Sequence, residues 1–182
     1  MHKLLSDSRK RIIFLIGGIL IPLLLLSALF YIGFSERNLS GLLNESAYFP
    51  FVHVSAFVML AWLAFLLSVC SSAHCTRKHA FRKLGILILL ISASLIIGYS
   101  FDSSFIATLH IALAYAGLVY MNVLFYEWCR EHTDIVRIYI CLTLTAFLFS
   151  AGSGYVSGIS EVLYGAGCSV LLTVCALRDM SA

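Results

Sequence analysis

Six apolar stretches divide this chain, over residues 12–34, 49–69, 84–101, 105–126, 135–151 and 156–177. Each is near the ~20 residues that a helix rising 1.5 Å per residue needs to cross ~30 Å of hydrocarbon. The third and fifth are short, and Glu161 and several glycines interrupt the last. Backbone polar groups inside a bilayer must satisfy one another, so each stretch is expected to be a helix. Composition agrees: 61% of the 182 residues are apolar and 12% are charged, where a soluble domain carries about a quarter charged residues. The expected fold is therefore an all-α integral membrane protein, one six-span bundle over residues 1–182 with no room for a separate soluble module. The first apolar run is longer than the core of a usual signal peptide and lacks a small-residue cleavage site, so a cleaved leader is not expected.

The basic residues set the orientation. Lys3, Arg9, Lys10 and Arg11 precede the first stretch, and Arg77, Lys78, Arg82 and Lys83 separate the second from the third. Arg130 and Arg137 lie between the fourth and fifth, and Arg178 follows the sixth. Of the twelve Lys and Arg residues, Arg37 alone falls on the other side of a six-span arrangement. The positive-inside rule makes the basic side cytoplasmic, with both termini there. A five-span or seven-span count scatters these charges. The outer side then holds one long loop, residues 35–48, whose Asn38-Leu39-Ser40 and Asn44-Glu45-Ser46 triplets match the glycosylation sequon.

Several local features follow. Asp102-Ser103-Ser104 leaves room only for a tight helical hairpin, and Pro22 predicts a kink in the first helix. Small residues four apart, at Ala112/Ala116, Ser94/Gly98 and Gly165/Ser169, are candidates for close helix approach. None of the six cysteines falls in an outer loop, so buried thiols acting as small hydrophobes are expected instead of disulfides. Cys70, His74, Cys75 and His79 come nearest to a zinc pattern but lack two well-separated ligand pairs, so no metal is expected.

Ionisable residues inside a span are costly and usually face protein or water. His53, His110 and Glu161 each lie about one turn inside a helix entering from the outer face, roughly 6–8 Å below the boundary. Glu45 and Asp102 stand just above that layer. Taken singly, each of these could be an interfacial residue that snorkels to water. Taken together they suggest a polar pocket in the outer leaflet that recognises a lipid, with Glu161 and His110 as natural partners. A histidine beside a carboxylate also suits general-base chemistry on a lipid ester, so an intramembrane hydrolase or acyltransferase using His110 and Glu161 is the alternative. A third reading is a scaffold subunit that recruits a partner membrane protein. His53 and His110 at matching depth would permit axial haem ligation, but nothing else in the sequence asks for a porphyrin. The expected cofactor is none. The expected partners are a membrane lipid and a second copy or partner membrane protein, without nucleic acid.

The same residues resemble the DRAM/Frag/Sfk family of damage-regulated autophagy modulators and GPI-anchor lipid remodelling proteins. Asn44-Glu45-Ser46 stands where the family's first outer loop ends in an acidic residue. Arg82-Lys83-Leu84-Gly85, Ser92, Asp102 and Leu109-His110-Ile111-Ala112 look like its third and fourth helices. Ser160-Glu161 and Leu177-Arg178-Asp179 look like the ends of its last span. The chain departs from the pattern at Asn44, where proline is usual, and at Val162, where an aromatic often stands. The resemblance implies six spans, cytoplasmic termini and a role in lipid handling or membrane regulation.

Overall fold

The computed structural model describes residues 2–32, 49–72, 75–97, 103–153 and 158–181, and every regular element among them is helical. The first span is α1 (His2–Ile13), a π-helical segment (Phe14–Leu20) and α2 (Ile21–Ile32). The others are α3 (Phe49–Ser71), α4 (Arg77–Ile97), α5 (Ser104–Cys129), α6 (Thr133–Ser153) and α7 (Gly158–Asp179). Six runs are long and apolar enough to cross a membrane. The helices extend past the apolar windows at their basic ends: α4 begins at Arg77 and the first helix at His2. Lys and Arg are good helix formers, and their long stems let them continue a span while the charge reaches water.

Large apolar side chains cover the outside, among them Leu89, Phe105, Phe147 and Leu148. A water-facing surface of that kind would be an aggregation hazard, whereas lipid solvates it. Because lipid tails are as apolar as leucine, the hydrophobic effect does not hold such helices together. Close packing and interhelical hydrogen bonds do.

The sixth span, the most interrupted in sequence, is the centre of the bundle. More than half of α7 is buried (56%), against 17–39% for the other spans. Its interruptions are what permit this. A Cβ on Gly165 would stand 3.2 Å from Leu25 and 3.3 Å from the Met59 sulfur, and one on Gly167 would stand 2.3 Å from Leu142. Ser169 is fully buried beside the first span. The Gly165/Ser169 pair is thus a true helix contact, whereas Ala112 and Ala116 face outward. Ser94 is buried between α4 and α5; Gly98 lies outside the described residues. On the same hairpin, a Cβ on Gly117 would meet Ile91 at 2.9 Å.

The largest buried side chains, Trp128, Phe125, Leu66, Leu87 and Leu172, gather in one half of the bundle. That half carries both ends of the chain, since Lys10 Nζ donates to Ser181 Oγ at 2.9 Å. Charge pairs close the same end. Arg178 grips Asp134 through two bonds of 2.8 Å, His132 Nε2 donates to Asp179 at 2.7 Å, and Lys83 pairs with Glu127.

Pro22 shows its effect as a change of helical register. Ile21 N–H bonds to Ile16 O, five residues back, the π-helical pattern. Residue 22 would next donate to Gly17 O, but proline has no N–H.

Candidate functional site

In the half away from the termini, His110 of α5 is 4% exposed and sits against α4. Its Nδ1 lies 3.0 Å from the Ser94 carbonyl, and Ser94 Oγ lies 3.4 Å from the same nitrogen. A carbonyl can only accept, so Nδ1 carries a proton toward Ser94 O. Ser103 caps α5 by accepting from Ile106 N at 3.4 Å, which fixes the helix start seven residues before His110. Glu161 is half-buried in the first turn of α7, where the positive end of the helix dipole favours a carboxylate. Next to it, buried Ser160 accepts from Ser150 at 3.0 Å and ties α7 to α6. Of the other expected pocket residues, Glu45 and Asp102 lie outside the described residues, as does the side chain of His53, whose backbone belongs to α3. The structure therefore places His110 in the α4–α5 seam, bonded to Ser94, and Glu161 at the head of the central helix.

A shallow, open depression lies on the outer surface of α5 beside Thr143 of α6, at the charged end of the bundle. Val119, Val123 and Tyr126 form its apolar wall, Asn122 and Thr143 its floor, and Glu127 with Arg130 its end. Behind the floor a polar chain stiffens the two helices. Tyr139 donates to Asn122 Oδ1 at 2.8 Å, its hydroxyl meets that of Tyr164 at 2.6 Å, and its ring stacks on Phe125 at 3.7 Å. Each such interhelical bond contributes roughly 0.6–2 kcal/mol in a membrane.

The core at the charged end of the bundle holds a cluster that sequence spacing did not reveal. The sulfurs of Cys70, Cys129 and Cys175 lie within 4.8 Å of one another, and all three residues have no exposure. His132, Cys175 and Asp179 form a second group of the same spacing. The signal was present in sequence: these thiols stand near the ends of the second, fourth and sixth spans, which all run in one direction. The depth argument that grouped His53, His110 and Glu161 groups these cysteines too. All six cysteines are thiols, and Cys141 faces outward on α6.

No family model matches this chain, and neither a curated protein nor a solved structure matches it.

Proposed function

We propose that this multi-pass membrane protein binds a membrane lipid laterally and acts in lipid remodelling or membrane regulation, with its charged end in the cytoplasm. The observation that carries the reading is the depression on α5. From Val119 to Arg130 it follows α5 for about 17 Å, which is about one leaflet of a ~30 Å hydrocarbon core. An acyl chain fits the apolar wall, and Arg130 stands where an anionic headgroup ends. Arginine suits that task because its planar fork meets phosphate oxygens in pairs. Orientation rests on the basic residues, which the positive-inside rule assigns to the cytoplasm. The depression belongs to the inner leaflet in that orientation, so the lipid seat favoured here is opposite the outer polar layer of His110 and Glu161. The resemblance to the DRAM/Frag/Sfk family points to lipid handling as well.

The test is native mass spectrometry of lipid retained by the protein after gentle extraction, comparing the unaltered chain with Val123→Trp and Arg130→Ala. Enrichment of one lipid class that Val123→Trp abolishes and Arg130→Ala weakens supports this seat. Retention that mirrors the bulk membrane, or that ignores both substitutions, overturns it.

One observation favours a second reading, an intramembrane hydrolase or acyltransferase. His110 is a buried histidine, the side chain that most often serves as a general base. Lipid-ester turnover lost in both His110→Ala and Glu161→Gln, with folding intact, would select it.

A further inference from the structure

Three thiols can fill a core as small hydrophobes. Cys70, Cys129 and Cys175 differ from that case because α3, α5 and α7 aim them at one point. Neighbouring sulfurs in a tetrahedral zinc shell, with bonds of ~2.3 Å, stand about 3.8 Å apart. The present spacing, within 4.8 Å, needs only side-chain adjustment to reach it. A second observation points to a cation at this place. Asp179 Oδ1 accepts from His132, but its Oδ2 is buried and has no hydrogen-bond partner. A buried acceptor left without a partner costs about 1–3 kcal/mol, and hydrophobic packing of the thiols gives no relief. Asp179 belongs with His132 to a second group that shares Cys175 with the first, so the carboxylate lies beside one of the three thiols.

We propose that Cys70, Cys129, Cys175 and Asp179 bind a zinc-class divalent cation at this end of the bundle. Asp179 coordinates through Oδ2, and His132 holds the carboxylate from behind through Oδ1. Sulfur donors with one oxygen suit zinc better than magnesium or calcium. A carboxylate fixed by a second hydrogen bond is the usual outer support of such a centre. On binding, the three thiols become thiolates and release three protons to water. The side chains of His132 and Asp179 are partly exposed, at 20% and 13%, whereas the three cysteines have no exposure. The site joins the second, fourth and sixth spans, so it clamps the charged end of the bundle. It stands independently of lipid binding.

The full-length protein, purified in detergent without chelators, should carry near-stoichiometric zinc by elemental analysis. Cys129→Ser and Asp179→Asn should lose most of it, Cys141→Ser should keep it, and affinity should rise steeply with pH. Because a thiol variant can misfold, the unaltered protein is also stripped with chelator and loaded with cobalt. A thiolate-to-cobalt charge-transfer band that zinc abolishes supports the site. Folded, stripped protein that yields no such band overturns it, as does zinc that persists unchanged in Cys129→Ser. An intramolecular disulfide among the three cysteines in freshly purified protein also overturns it.

Discussion

Ser169 of the sixth span donates its hydroxyl to the backbone carbonyl of Gly17 in the first, at 2.7 Å. The two residues are 152 positions apart, and the bond exists because of Pro22. In the π register of Phe14–Leu20, the partner owed to Gly17 O is the N–H of residue 22, which proline lacks. A carbonyl left bare in hydrocarbon costs several kcal/mol, and Ser169 removes that cost. Gly17 has to be glycine for the helices to come this close, since a Cβ there would stand 2.1 Å from Thr173 Oγ1 and 2.7 Å from Trp62 Nε1.

Gly17→Ala should therefore destabilise the protein by about 1–3 kcal/mol, the usual cost of overpacking. Ser169→Ala should cost about 0.6–2 kcal/mol. Gly18 is the control, because a Cβ there meets only the Phe14 ring at 3.5 Å. Thermal unfolding in detergent should rank Gly17→Ala well below Gly18→Ala; equal melting temperatures would contradict the packing described.

Lys83 reaches both carboxylate oxygens of Glu127, one of them at 2.6 Å, and joins α4 to α5. With the pair part-buried, at 22% and 35% side-chain exposure, Glu127→Gln should cost up to about 1 kcal/mol. High salt should narrow the difference. The swap of Lys83→Glu with Glu127→Lys should recover most of the loss, and a swap no better than either single change would rule the pair out as a stabilising contact.

The existence of six spans was legible because each presents a long apolar run, but their basic ends were not, since Lys and Arg continue the helices past those runs. Which span lies at the centre was not legible either. Hydropathy penalises the glycines and Glu161 of α7, whereas packing needs small residues in the most crowded helix. Of the small-residue pairs, Gly165/Ser169 is buried and Ala112/Ala116 faces outward, a distinction that depends on helix rotation and not on spacing. His110 was expected to be buried in a polar layer. It is buried, and its bond to Ser94 comes from the facing helix, which no spacing within α5 could indicate. The thiol cluster draws one member from each of three helices, so spacing within any one segment cannot indicate it.

Orientation has its own test. An engineered Ser40→Cys should react with an impermeant thiol reagent in intact cells, because loop 35–48 carries one of the twelve basic residues and is assigned to the outside. Cys75, at the opposite end of the bundle, should be protected until the membrane is opened. Labelling of Cys75 before that of Ser40→Cys would invert the arrangement.

The lipid seat is tested most directly by a photo-crosslinking residue at Val119, on the wall of the depression, compared with one at Phe147, on the open lipid face of α6. Illumination in native membranes, followed by mass analysis of the adducts, reports what occupies each position. The proposed function predicts an adduct at Val119 enriched in one anionic lipid class and lost in Arg130→Ala, with Phe147 reporting the bulk membrane. The same adduct distribution at both positions would contradict it.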